Sequence, residues 1–224
     1  MITLFHNRSG SYIPLGGVYE VKNKSTTIKE ITAKVIRQSD NATLSLIWST
    51  FPSPICRRVA GNFETSFETA HPFKVEADTL APAFVEFVDK CANMDEVSNN
   101  ILYPVVCATM PIFSQPNATL PIVDGAVRAL PEYALAKIAL NDHFFWKADE
   151  YEMVITTIHS KGTFDKKYVF SLSDAESLRL RNNIDSVLIS HVANHFGIPV
   201  QMNTVTTVSY THLRAHETDS YLVC

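Results

Sequence analysis

Two spacings of apolar residues alternate along this chain, and each change of spacing predicts a change of element. Ile2 to Phe5 is a short apolar run expected to form a strand, and Tyr12 to Val21 alternates around Gly16-Gly17 as a hairpin or bulged strand does. Thr27 and Glu30 fit a capping box, and Ile28, Ile31, Val35 and Ile36 recur at helical spacing, which predicts a short helix over Ile28 to Gln38. Thr43 to Thr50 reads as a buried strand closed by Pro52 and Pro54. Phe63, Phe67 and Phe73 punctuate a polar stretch that predicts a short strand ending near Glu76. Beyond it, Asp78 or Thr79 can cap a helix whose stripe is Leu80, Phe84, Phe87, Val88 and Cys91, with Cys91 in the core.

Pro104, Pro111, Pro116, Pro121 and Pro131 divide residues 93–131 into short apolar runs. Proline removes a backbone donor and restrains the residue before it, so neither a long helix nor a central strand is expected there; a two-lobed chain would hinge at this stretch. Pro131 suits the first turn of a helix over Glu132 to Leu140. Tyr151 to His159 and Lys167 to Leu172 alternate on either side of Lys161 to Asp165, which predicts an antiparallel hairpin. Ser173 with Glu176 makes a capping box for a long helix that Gly197 ends and Pro199 prevents from resuming. The expected fold class is α+β: a single domain over residues 1–207, an antiparallel sheet packed by three or four helices, with a C-terminal β-hairpin followed by a long helix.

The last residues change how much of the chain is read. Val208 to Thr218 spells VSYTHLRAHET, which resembles the translation of a transposon-type sequencing adapter, so Val208 to Cys224 is expected to be foreign and the native C-terminus to be missing. His212, His216 and Cys224, the most metal-like cluster by spacing, are set aside with it. Cys56, Cys91 and Cys107 remain, without C-x-x-C spacing, which suits a reducing compartment better than a disulfide scaffold.

The formal net charge of −4 argues against a strongly electrostatic nucleic-acid binder. With no signal-peptide core and no run of about 18 apolar residues, the expectation is a cytoplasmic protein with no membrane partner. Sequons at Asn7, Asn23, Asn41 and Asn117 read as chance matches in a chain rich in Asn, Ser and Thr.

Candidate chemistry is sparse. His191 and His195 stand four apart on one face of the last predicted helix, a spacing that can ligate a metal, but H-V-A-N-H lacks the glutamate of H-E-x-x-H hydrolases. A third ligand would come from His143, His159, Asp142 or Glu150; the alternative is that the pair caps the helix end. His159 closes a strand row with Tyr151, Met153, Ile155 and Thr157, and His143 begins an aromatic run, Phe144-Phe145-Trp146, that reads as a hydrophobic plug. Lys161, Lys166 and Lys167 beside Tyr168 could hold single-stranded nucleic acid by charge and stacking, although Tyr168, Phe170 and Leu172 alternate as a core-facing strand also would. Arg57-Arg58 would add to such a surface, and could lower the thiol pKa of Cys56.

No P-loop, dinucleotide fingerprint, nucleophile elbow or calcium loop is present. The leading expectation is therefore a non-catalytic binding, assembly or accessory protein with a protein partner, and a gene cut short by an adapter fits a phage or mobile-element source. Two alternatives stay open: a metal-dependent or acid-base enzyme using the histidine pair, and single-stranded nucleic-acid binding through the 151–172 hairpin.

Overall fold

Period-two alternation governs far more of the chain than its apolar spacing suggests. The computed structural model describes residues 2–7, 10–59, 62–89, 97–208 and 210–211; the side chains of residues 7, 52–67, 97–98 and 210–211 lie outside that description. The strands are β1 (Ile2–Asn7), β2 (Gly10–Glu20), β3 (Thr26–Arg37), β4 (Thr43–Val59), β5 (Asn62–Thr69), β6 (Phe73–Val75), β7 (Leu80–Asp89), β8 (Asp149–His159), β9 (Gly162–Leu172), β10 (Thr204–Thr207) and β11 (Tyr210–Thr211). They form one sheet in the order β10-β1-β2-β7-β4-β3-β8-β9-β11, with β5 on β4 and β6 on β3. The described pairings are all antiparallel.

The two ends of that order, β10 and β11, are consecutive in the chain. Thr204–Thr207 pairs with β1 and Tyr210–Thr211 with β9, strands from opposite ends of that order, so the sheet curls round toward a barrel. Thr207 is buried at this seam, where its Oγ1 donates to the carbonyl of Ser171 at 3.1 Å. The seam is incomplete: β1 pairs with β2 only at residues 10–12, and β11 with β9 only at Val169 and Tyr168.

Helices close one end of the barrel. A π-helical turn (Val97–Leu102) leads into α1 (Tyr103–Phe113), α2 (Leu120–Arg128) and α3 (Pro131–Asp142), which follow β7; α4 (Asp174–Arg181), α5 (Asn183–Leu188) and α6 (Ser190–His195) follow β9. Pro104, Pro121 and Pro131 occupy first turns, where the missing N–H is not needed, which is how a proline-rich stretch still makes three helices. Asn183, fully buried, ties this layer to the sheet: its side chain donates to the carbonyls of His6 (2.9 Å) and Asn203 (2.8 Å) and accepts from the Asn203 N–H (2.7 Å). The aromatic run after α3 is the plug: Phe144 and Trp146 are buried, Trp146 packs against Tyr151 and Phe170, and the Trp146 carbonyl accepts from Ser177 at 2.7 Å. Each fully buried side chain of this size contributes about 1.5–3 kcal/mol.

Three expectations are corrected. Ile28 to Gln38 is not a helix but lies largely in β3, where a register shift between Ile28 and Glu30 places Ile28 and Ile31 on the same buried face, so a bulge reproduces the i, i+3 spacing of a helix. Residues 80–89 are β7, not a helix; Asp78 stands at φ 56° and the Thr79 hydroxyl donates to the Glu76 carbonyl, making a turn instead of a cap. The C-terminal helix is not long. The Ser173 capping box forms as expected, but the helix breaks at Asn182 and Ile189 into segments of 8, 6 and 6 residues. Asn183 turns inward to its three partners, and Ser190 takes the Val187 carbonyl at 2.8 Å, a side-chain bond that competes with helix continuation. The sheet dominates the architecture, and an α+β arrangement of a sheet packed by three or four helices with the last longest does not describe it.

Other elements differ in detail. β4 runs on through Pro52 and Pro54 to Val59, with the ladder to β5 shifting register between Pro52 and Cys56. Gly16-Gly17 lies inside β2, not in a turn. Asn23, Asn41 and Asn117 take φ of 70°, 58° and 70°, the left-handed positions that asparagine tolerates, which accounts for three of the four sequon asparagines as turn residues. Cys91, His212, His216 and Cys224 lie outside the described residues, as do the side chains of Cys56, Arg57 and Arg58.

Candidate functional site

The inward rows of the barrel carry large buried side chains at the helix-capped end and again at the other, where Tyr19, Val21, Ile28 and Val75 are buried, and they are thinnest between the two. On β2 the row is Ile13, Leu15, Gly17, Tyr19; facing it across β7 are Phe87, Val85, Ala83 and Ala81. Gly17 opposite Ala83 leaves the space that a pair of branched residues would fill. A Cβ added at Gly17 would meet nothing within 4 Å, and the backbone there needs no left-handed conformation. Its neighbour has the reverse constraint: a Cβ on Gly16 would lie 2.9 Å from the ring of Phe84, its cross-strand partner.

The space beside Gly17 is a cavity of about 30 Å³. Its walls are apolar, from Leu15, Ile31, Val85 and Ile155, and its polar groups come from β2, β8 and β9. Tyr19 and Thr157, both buried, share a hydrogen bond between hydroxyls at 3.3 Å. Ile155 pairs with Lys166 and Thr157 with Phe164, so Lys166 and Tyr168 stand on the inward row of β9, and the Lys166 ammonium lies 5.8 Å from the Tyr168 ring centroid. Among the described residues that line the cavity, Lys166 is the one that carries a charge. Because strands from opposite sides of the sheet order line one space, the cavity exists only in the curled sheet.

The four nucleic-acid candidates are thus divided between two faces. Lys166 and Tyr168 point inward; Lys167 points outward and pairs with Glu152 at 2.9 Å; Lys161, in the two-residue turn, donates to the Lys24 carbonyl at 3.2 Å. A strand that alternates cannot present all four to one ligand.

The metal candidates do not converge either. His191 is half-buried with Nε2 2.9 Å from the Thr109 hydroxyl; burial pushes its pKa down, opposed by the Leu188 carbonyl. His195 is exposed and stacks on Phe113 with ring centroids 4.0 Å apart. His159 continues the inward row of β8 at the rim, 3.3 Å from the Thr26 hydroxyl, and burial followed by the charge of Lys161 lowers its pKa. His143 and Asp142 are exposed at the end of α3, in an open cleft with Arg37 and Lys147, where Arg37 is already held by Asp40 and the Phe145 carbonyl. Glu150 is exposed on β8. Among the described residues no three His, Cys, Asp or Glu side chains gather as a metal would require.

Sequence reasoning named Lys166 and Tyr168 for another ligand and missed Gly17. The available signal was the alternation of β9 carried back two residues, which places one lysine inside a row of Phe164, Tyr168, Phe170 and Leu172. Among the described residues no helix is long and apolar enough to cross a membrane. Comparisons with protein-family models, curated proteins and solved structures return no match.

Proposed function

We propose that this chain is a binding protein that holds a very small ligand inside the barrel, beside Gly17. The observation that carries this reading is the opening at Gly17: an interior position, in unstrained backbone, with no atom against the place of its missing side chain. Interiors of small barrels are ordinarily filled by side chains or hold one small ligand. The lining combines an apolar body with a few convergent polar groups, and a space of about 30 Å³ suits a ligand of only a few atoms, on the order of two water molecules in size. Histidine, cysteine and carboxylate side chains are not among the lining residues, so the groups at hand suit holding a ligand more than proton transfer or nucleophilic attack.

The test is a fragment screen by ligand-observed NMR on the wild-type chain and on Gly17→Val. Valine fills the opening without demanding a new backbone conformation. Small fragments should bind the wild type and lose their signal with the variant; a set of hits unaffected by Gly17→Val would place binding elsewhere and refute the proposal.

A further inference from the structure

We infer that a gap between β3 and β4 binds a free amino acid with an aliphatic side chain, its carboxylate at Lys29, its ammonium at Glu30 and its side chain against Trp48. The gap is built into the topology. β3 pairs with β6 from Thr26 to Ile28 and with β4 from Thr32 to Ile36, so Lys29, Glu30 and Ile31 have no ladder partner on that side among the described residues. β4 turns away at this level: Trp48 pairs with Phe87 of β7, and the Ser49 carbonyl accepts from the Ala70 N–H at 3.0 Å. Between them lies a cavity of about 190 Å³, walled by Lys29, Glu30, Ile47, Trp48, His71 and Pro72. At the ~10–15 Å³ that one water needs, this is room for on the order of a dozen waters, or for a molecule of about ten non-hydrogen atoms.

The bulge in β3 sets the charges. With the register shifted between Ile28 and Glu30, Lys29 and Glu30 are both exposed between the buried Ile28 and Ile31, so a cation and a carboxylate stand side by side at the cavity. Neither forms an ion pair with another described residue. A ligand of one charge would meet its own sign at one of the two, whereas a zwitterion suits both. An amino acid carries its opposite charges on groups attached to a single carbon, a spacing that matches neighbouring side chains; a peptide separates them.

The aromatic wall is held in place. Trp48 Nε1 donates to the Thr50 carbonyl at 3.2 Å, and the indole stands edge-on to Phe51 and Phe73, with ring centroids 4.5 and 6.2 Å away. An indole fixed in this way offers surface to an aliphatic side chain, and its face attracts an ammonium. His71 Nδ1 lies 2.9 Å from the Thr69 carbonyl, which makes it the donor; in the neutral ring Nε2 is then an acceptor, a second one for the ammonium. Of the residues that line the gap, only Ile31 also lines the cavity beside Gly17, so the two sites stand or fall separately.

The experiment titrates the full chain with leucine, N-acetylleucine and leucinamide, following the backbone amides of residues 29–31, 47–49 and 70–71 by heteronuclear NMR. Leucine should shift these amides, and removing either ligand charge should weaken binding about three- to fivefold, the size of one exposed ion contact. Glu30→Gln should weaken leucine by a similar factor and leave N-acetylleucine unchanged, while Lys29→Gln should weaken leucine and leave leucinamide unchanged. Both positions are exposed, so the spectrum away from the gap should stay that of the wild type. Gly17→Val should leave leucine binding unaltered. Equal affinities for the three compounds, or leucine binding unchanged in both Glu30→Gln and Lys29→Gln, would overturn the zwitterion assignment; no shift at these amides with any of the three would overturn the site itself.

Discussion

The two halves of the barrel share one sheet and one alternation, yet the one under the helices is packed with aromatic and hydrogen-bonded polar groups and the other holds an opening beside Gly17. At the helix-capped end Trp146, Tyr151 and Phe170 stack together, Asn183 clasps β1, and His6 lies buried against Phe144. In the other half the rows pass through Gly17 opposite Ala83 and end in the buried Tyr19 opposite Ala81. The curvature of the strands does not decide where a ligand can sit; the size of the inward side chain does. The capped end also carries a cost that the other half lacks, because His6 Nδ1 and Trp146 Nε1 are buried with no hydrogen-bond partner among the described residues.

The comparison can be broken most severely at the clasp. Asn183→Ala should destabilise the chain by about 4 kcal/mol, since it orphans two carbonyls and an N–H in a buried site, and chemical denaturation would read this as a lowered midpoint. A loss below about 1 kcal/mol would mean that the helices do not depend on this tie.

Acid should act at the same end. Burial lowers the His6 pKa from 6.5 to about 4, so the folded state resists the proton that the unfolded chain accepts. The stability this neutral imidazole confers is fully present above pH 6.5 and is lost as pH falls from 6.5 toward 4, by about 3 kcal/mol in total. Urea midpoints measured across that window should show the fall, and His6→Gln should flatten it. A curve of the same slope in the variant would assign the fall to other groups.

Effects beside Gly17 should be smaller and of opposite sign. Gly17→Val replaces a glycine inside a strand with a strong strand former and fills vacant space, so thermal unfolding should shift upward by the equivalent of about 1 kcal/mol. A downward shift would mean that the space beside Gly17 is already occupied. Smallest of all is Lys167→Ala, which removes an exposed pair with Glu152 and should change stability by about 0.5 kcal/mol or less.

Legibility in the sequence followed local regularity. The hairpin of β8 and β9 and the Ser173 capping box were readable because their signals lie within a few residues and nothing interrupts them. β3 was not, because its bulge at Ile28 and Glu30 turns a strand's alternation into a helix-like step, and β7 was not, because Glu86 is buried beneath the Thr50 hydroxyl on a face that alternation alone would leave wet. The break in the last helix depends on partners of Asn183 that are remote in sequence, His6 and Asn203. The cavity was least legible, since it is made of what is missing: a glycine and two alanines on adjacent strands reveal nothing until β2 and β7 are known to pair.

The seam has a consequence for how the chain is made. Strand β10, Thr204–Thr207, pairs with β1 far from it in chain order; Thr3 and Thr206, whose hydroxyls lie 3.2 Å apart, are separated by 203 positions. During synthesis β1 waits for its partner β10 until the roughly 200 residues between them have emerged, with its edge exposed meanwhile. Such late, long-range pairing slows folding and presents open strand edges to other chains. Shortening the segment before the seam should therefore lower the yield of folded protein more than it lowers the stability of the molecules that do fold.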